Sequence, residues 1–154
     1  MSKIEAKLAE LGVTLPVAPK PVASYVPGIR TGNLVITSGQ LPTKDGQMVA
    51  TGIVPQEVTP EVAAEAARLC AINNLAVIKA VIGDLDKVVR VVRLGVFVAS
   101  APTFTAHPKI ANGASDFIQA VFGDAGRHAR STVGMACLPL NAPVEVEMMV
   151  EVKD

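Results

Sequence analysis

The segment that most constrains the fold is the last one, from Val144 to Val152. Its even positions are all Val or Met, and its odd positions include Glu145, Glu147 and Glu151. Successive side chains of a β-strand point to opposite faces, so this period of two predicts a strand with one apolar and one acidic face. The apolar face is expected to pack on helices, whereas the acidic face meets water or another subunit.

Two long helices are predicted upstream of this strand. Thr59-Pro60-Glu61 combines a cap, a proline and an acidic residue, which is typical of a helix start, and Gly83 supplies the stop. A second helix is predicted over residues 108–122. Asn73 and Asn74 interrupt the apolar pattern of the first helix, and buried amides of this kind usually satisfy backbone groups.

The remaining apolar runs predict strands and one further helix. Ser2-Lys-Ile-Glu5 is a capping-box pattern that opens a short helix in an N-terminal extension, residues 1–15. Strands are predicted over residues 23–27, 33–41, 48–53, 87–99, 129–138 and 143–152, with turns at 28–32 and at Asp45-Gly46. In the strand of residues 87–99, Arg90 and Arg93 are expected on opposite faces.

This order of elements predicts an α+β fold in a single domain of residues 1–154. A strand–helix–strand unit implies a parallel, right-handed crossover, whereas hairpins at the ends of the chain are antiparallel. We therefore expect one mixed sheet with two main helices on one face. The last two strands are expected to pair as a hairpin.

Composition limits the classes of function. Charged residues are only 18% of the chain, aromatic residues 3%, and the formal net charge is zero. A chain with so little charge is expected to bury surface in a homo-oligomer. The balance of charge argues against nucleic-acid binding. We expect no membrane span, no signal peptide and a cytoplasmic location, with Cys137 as an inert core residue.

The residues that could carry chemistry are concentrated in the last two strands. Arg130 offers a planar set of donors suited to a carboxylate, and Glu145 could orient a water molecule. From spacing alone, a surface ion pair is the more common role for such residues. His128 could act as an acid or base, or only as a hydrogen-bonded neighbour. The scattered His and Cys residues predict no metal site.

Four stretches together resemble the Rid (reactive intermediate deaminase) family, also called YjgF or endoribonuclease L-PSP. They are 25-YVPG-28, 35-VITSGQLP-42, 96-VFV-98, and a last one running from 129-ARSTVG-134 through 138-LP-139 to 144-VEVE-147. The resemblance spans residues 22–152 in the same order. It implies a chorismate-mutase-like fold and a homotrimer with sites in clefts between subunits.

The resemblance also implies roles for particular residues. Arg130 would hold a substrate carboxylate and Glu145 would orient or activate water. Tyr25 would line the pocket, and Ser38 with Gly39 would close another side. The implied reaction is hydrolysis of small 2-imino or enamino acids to 2-keto acids and ammonia, without metal or organic cofactor.

The chain departs from the best-studied deaminases of this family at several positions. Thr132 stands where they have a cysteine, although it keeps the backbone N–H, and Gly134 replaces a larger polar residue. These changes indicate a subgroup with a different pocket, in which Asn112, Arg127 and His128 would be further pocket residues. A non-catalytic trimer that binds small metabolites is an alternative. Ribonuclease activity or translation inhibition is a weaker one, because net charge is zero and aromatic residues are scarce.

Overall fold

The structure, a computed structural model, describes residues 2–18, 20 and 24–154. In chain order, the helices and strands of these residues are α1 (Lys3–Glu10), β1 (Gly28–Thr31), β2 (Leu34–Thr37), β3 (Thr43–Lys44), β4 (Gln47–Met48), α2 (Pro60–Ile82), β5 (Val88–Ala99), α3 (His107–Phe122), β6 (Ala129–Met135) and β7 (Val144–Val152). Short 3-10 turns lie at Leu85–Lys87, Gly123–Gly126 and Pro139–Asn141.

The helix starts follow from the capping residues. The Ser2 hydroxyl accepts a hydrogen bond from the Glu5 backbone N–H at 3.2 Å, and Thr59 does the same for Val62. Helix α2 ends at Gly83, whose φ of 83° lies in the left-handed region that favours glycine. Both predicted long helices are confirmed to within one residue at each end. The short N-terminal helix is confirmed as well.

Five strands form one sheet in the order β1-β2-β7-β5-β6. Strands β5 and β6 run parallel and are joined by α3, whereas the other neighbours are antiparallel. Helices α2 and α3 pack on one face, where the even-numbered residues of β7 are at most 1% exposed. The predicted α+β class, with one mixed sheet and two main helices on one face, is confirmed. We call the face away from these helices the open face.

The predicted hairpin between the last two strands is wrong. Strand β5 lies between β6 and β7 and pairs with both. The eight residues between Met135 and Val144 are enough to cross the end of β5, so the chain does not turn back tightly onto β6. Strand β6 is therefore an edge strand, with half of its backbone hydrogen-bonding groups turned away from β5.

The first predicted hairpin is displaced along the chain. The segment predicted as a turn, residues 28–32, contains strand β1, and the turn lies at Gly32-Asn33, where Gly32 has φ 55°. A Cβ atom on Gly28 would lie 2.8 Å from Val77 Cγ1, so the strand approaches α2 where glycine leaves room. Residues 24–27 are not a strand, and Ala23 lies outside the described residues. The strand predicted at 48–53 shortens to β4, although the Asp45-Gly46 turn is confirmed.

Two expectations about side chains are also wrong. Arg90 stands opposite Glu151 and Arg93 opposite Met149, so both arginines lie on the open face, because a register shift falls between Val91 and Arg93. Cys137 is exposed rather than part of the core, since β6 ends two residues before it.

The two asparagines of α2 tie the helix to the sheet, as predicted. Asn74 is fully buried and donates to the carbonyl oxygens of Cys70 at 2.8 Å and Val146 at 2.9 Å, while its own oxygen accepts from the Thr37 hydroxyl. Asn73 donates to the carbonyl oxygen of Leu41 at 2.9 Å. These bonds fix the ends of β2 and β7 at which the candidate site residues lie.

Candidate functional site

Arg130 lies on the helix-facing side of β6. It stands opposite Leu94 of β5, which in turn stands opposite the buried Met148 of β7, and residues opposite one another share a face of the sheet. Its guanidinium reaches α3, where Nη1 donates to Asn112 Oδ1 at 2.9 Å and to Ser115 Oγ at 3.0 Å. Nη2 makes a longer contact of 3.4 Å with the Pro108 carbonyl oxygen. Within the described part of the chain, Nε has no hydrogen-bond partner.

Ser115 connects Arg130 to His128. His128 Nε2 lies 2.9 Å from Ser115 Oγ, and its Nδ1 lies 2.6 Å from the carbonyl oxygen of Gly126. Thr132 follows Arg130 on the same side of β6, and its hydroxyl oxygen is buried without a hydrogen-bond partner among the described residues. We call Arg130, Thr132, Asn112, Ser115 and His128 the arginine half-site.

Sequence reasoning missed Ser115. It is three residues after Asn112, so both side chains lie on one face of α3. The available signal was a polar residue, Ser115, among the buried apolar positions of this helix, which include Ala111, Ala114 and Ile118. That signal does not reveal that an arginine from β6 faces Asn112 and Ser115.

Glu145 lies on the open face of the sheet. It stands opposite Phe97 of β5, and its side chain packs on Gly39: a Cβ atom on that glycine would lie 2.8 Å from Glu145 Cδ. Partial burial, with a smaller contribution from the nearby charge of Glu147, raises the pKa of the Glu145 carboxyl above its ordinary value of 4.5. The absence of a side chain at Gly39 therefore leaves room for the Glu145 carboxylate, and any larger residue would displace it.

Ser38 precedes Gly39 and lies next to the segment that carries Tyr25. The Ser38 hydroxyl donates to the Val26 carbonyl oxygen at 2.6 Å, directly beside Tyr25. Tyr25, which is half exposed, and Ser38 both line an open groove of about 450 Å³. We call Tyr25, Ser38, Gly39 and Glu145 the glutamate half-site.

The two half-sites lie on opposite faces of the same sheet. Along β5, the partner of Arg130 (Leu94) and the partner of Glu145 (Phe97) are three residues apart, in a stretch without a register shift. Two strand spacings and a three-residue offset separate the backbones of Arg130 and Glu145 by roughly 14 Å. One chain therefore cannot bring this guanidinium and this carboxylate to one small molecule.

Each half-site can nevertheless do part of a reaction. The arginine half-site offers a fixed cation with a free donor edge, which suits a carboxylate. The glutamate half-site offers a half-buried carboxylate that can accept a proton or orient water. Among the described residues, no three His, Cys, Asp or Glu side chains come close enough together to hold a metal ion. No helix in the described part of the chain is both long and apolar enough to cross a membrane.

A family model described as "YjgF/chorismate mutase-like, putative endoribonuclease" matches residues 5–152 of the chain. The chain belongs to the YjgF family. Protein TCP17 of Trypanosoma cruzi is 44% identical over 99% of this chain and 96% of its own length. The 2-iminobutanoate/2-iminopropanoate deaminase of Dermatophagoides farinae is 33% identical over 92% of this chain and 95% of its own length.

Solved structures of YjgF proteins have the same fold. The protein Atu1372 of Agrobacterium tumefaciens, of unknown function, is 50% identical and superposes with a TM-score of 0.91 over 97% of this chain and 92% of its own. Escherichia coli TdcF with bound serine is 25% identical, with a TM-score of 0.63 over 90% of this chain and 94% of its own. The expected family and its chorismate-mutase-like fold are therefore confirmed.

Proposed function

We propose that this YjgF protein hydrolyses small 2-imino acids, and their enamine tautomers, to 2-keto acids and ammonia. The observation that carries the proposal is a pair of charged groups that each keep hydrogen-bonding atoms free. Among the described residues, neither Nε of Arg130 nor the Glu145 carboxylate has a hydrogen-bond or ion-pair partner. Charged groups that remain unpaired while partly enclosed are available to a ligand.

The reaction needs little beyond positioning. The imine carbon is already electrophilic, so the arginine half-site binds the substrate carboxylate and Glu145 orients a water molecule toward that carbon. Glu145 takes a proton from the water as its oxygen bonds to the carbon, and a raised pKa makes this carboxylate a better base. The imine nitrogen gains protons, the C–N bond breaks, and a keto acid and ammonia leave. No metal or organic cofactor takes part in these steps.

Two copies of the chain complete the site in this proposal. Because the half-sites lie on opposite faces of one sheet, the arginine half-site of one copy meets the glutamate half-site of another. Arg130 lies on an edge strand, where the border of one subunit can approach the open face of a neighbour. A closed ring of identical subunits repeats one such contact, and a homotrimer is the assembly that we propose.

The comparisons support the choice of substrate class. Relatives that are 33% and 31% identical are named 2-iminobutanoate/2-iminopropanoate deaminases, and TdcF was solved with serine, a small carboxylate-bearing molecule. Because Asn112 and Thr132 belong to the arginine half-site, we expect the substrates of this chain to differ from those of its relatives in the group beside the carboxylate.

The test is the release of keto acid from an imino acid that an amino-acid oxidase generates in the same cuvette. We expect the wild type to accelerate keto-acid release. For Arg130→Ala and for Glu145→Gln we expect kcat/KM to fall by at least about 100-fold. Arg127→Ala is the matched control, because Arg127 is exposed and contacts Asp124 rather than the site. A wild type that gives no acceleration, or an Arg130→Ala variant that is as active as the wild type, contradicts the proposal.

A second function follows from the arginine half-site alone. Asn112 and Ser115 hold one end of the guanidinium whether or not Glu145 is near, so the protein could bind carboxylates without turning them over. Calorimetry with 2-oxobutanoate separates the two functions. Binding that depends on Arg130 but not on Glu145, in a protein without turnover, favours the binding function.

A further inference from the structure

His128 and Ser115 form a hydrogen-bonded chain that ends on Arg130. The four groups in order are the Gly126 carbonyl, the His128 imidazole, the Ser115 hydroxyl and the Arg130 guanidinium, with successive distances of 2.6, 2.9 and 3.0 Å. Ser115 is 6% exposed, so water has little access to the hydroxyl group at the middle of this series. Nothing in the family pattern that carries Arg130 and Glu145 includes His128 or Ser115.

The chemistry of the partners assigns each proton in this chain. A carbonyl oxygen can only accept, so His128 Nδ1 must carry a proton and donate to Gly126. In the neutral imidazole, Nε2 is then an acceptor and receives the Ser115 hydroxyl proton. The Ser115 oxygen in turn accepts from Arg130 Nη1, since a guanidinium only donates. Every donor in the chain has one acceptor.

The hydrogen-bonded chain occupies Nη1, the end of the guanidinium that the substrate carboxylate does not need. Nη1 has two N–H bonds, and both are used, one by Ser115 and one by Asn112. The edge formed by Nε and Nη2 keeps its donors, apart from the long Nη2 contact with Pro108. A carboxylate can bind two donors of one such edge side by side.

We infer that His128 and Ser115 are positioning residues for the proposed reaction: through Nη1 they hold the Arg130 guanidinium so that its Nε/Nη2 edge is presented to the substrate carboxylate. In this inference His128 is a positioning residue, rather than the pocket residue expected from the sequence. His128 acts through Ser115 and need not touch the substrate. The inference rests on the proposed function, because it requires Arg130 to bind a carboxylate.

The first test compares His128→Ala and Ser115→Ala with the wild type. The carboxylate is bound equally in the ground state and in the transition state, so we expect KM to rise while kcat is unchanged. The rise in KM, and in the Kd for 2-oxobutanoate, should be about 3- to 10-fold, as for the loss of one hydrogen bond. His128→Gln keeps an acceptor for the Ser115 hydroxyl and should stay within about twofold of the wild type.

The double variant of His128 and Ser115 shows whether the two residues act in one hydrogen-bonded series or through two independent contacts. His128 reaches Arg130 only through Ser115, so His128→Ala combined with Ser115→Ala should bind no more weakly than Ser115→Ala alone. Arg127→Gln, which removes the charge next to His128 without touching the chain, should bind 2-oxobutanoate like the wild type. Losses that multiply in the double variant, or unchanged binding in both single variants, would overturn the inference.

NMR of the guanidinium distinguishes a failure of this inference from a failure of the proposed function. Two hydrogen bonds on Nη1 should slow rotation about the Cζ–Nη1 bond of Arg130 in the wild type, and rotation should become faster in Ser115→Ala. If the wild type neither binds 2-oxobutanoate nor hydrolyses imino acids, the proposed function is wrong, and the inference falls with it. If binding and turnover are present but rotation is equally fast in both proteins, only the positioning role is wrong.

Discussion

Mixing two inactive variants tests whether the site is shared between copies. In the proposed assembly, an Arg130→Ala chain retains its glutamate half-site and a Glu145→Gln chain retains its arginine half-site. Neither variant has a complete site when it assembles with itself. A mixed oligomer regains one wherever an intact Arg130 meets an intact Glu145 across an interface.

The size of the recovery follows from the geometry. Arg130 and Glu145 lie on opposite faces of one sheet, so in the proposed assembly the two residues of a site come from different chains. In a ring assembled at random from equal amounts of both variants, each residue is intact with a probability of one half, and about a quarter of the sites are complete. We therefore expect about a quarter of the wild-type specific activity.

The assay is keto-acid release after the two variants are unfolded together in denaturant and refolded by dilution. A mixture of the wild type with the double variant, Arg130→Ala with Glu145→Gln, supplies a second measurement. A shared site again predicts about a quarter of the wild-type activity, whereas a site within one chain predicts about half. No recovery in the first mixture, together with half activity in the second, would refute the shared site.

Three further predictions concern stability, measured by thermal or urea unfolding at fixed protein concentration. Gly113→Ala places a Cβ atom 2.7 Å from the carbonyl carbon of Ala64 on α2. Overpacking should outweigh the gain in helix propensity, with a net loss of about 2 kcal/mol in the free energy of unfolding and a Tm lower by about 4–8 °C. An increase in Tm would contradict this contact. Asn74→Ala removes three buried hydrogen bonds, including the one to Val146, and should cost about 3 kcal/mol in urea unfolding, whereas a loss under about 1 kcal/mol would mean that the network contributes little. Glu145→Gln should raise Tm above that of the wild type at pH 7 but not at pH 4. The raised pKa means that the wild type loses stability as the pH rises above 4.5 through the folded-state pKa of Glu145. A variant with the same Tm as the wild type at both pH values would contradict that shift.

The helices could be predicted because their signals are local. Thr59 and Gly83 fix the ends of α2 by bonds within a few residues, and these ends agree with the structure. The displaced first hairpin shows the limit of such signals. Both Gly28 and Gly32 are typical of turns, and only contact with α2 decides that Gly28 belongs to a strand.

Sheet order could not be predicted in the same way. The alternation in β7 shows which residues face the helices, but it does not say which strand lies alongside. Adjacency along the chain favoured β6 as the neighbour of β7, and the structure places β5 between them. The candidate residues Arg130 and Glu145 were found through the family resemblance, while Ser115 had no local signal strong enough to identify it.

The same alternation in β7 that limits the fold also explains why a site built on Arg130 and Glu145 would need two copies. A slip of one residue in the register of β7 would bring Glu145 to the helix-facing side, where Arg130 lies, but it would also move Glu147 and Glu151 into the core and expose the valines. Burying unpaired carboxylates costs more than any single contact in the site could return. The register is therefore held by the core, and with it the separation of the two half-sites on opposite faces. Association of subunits is the route left for bringing them together, and the mixing experiment measures whether the protein uses it.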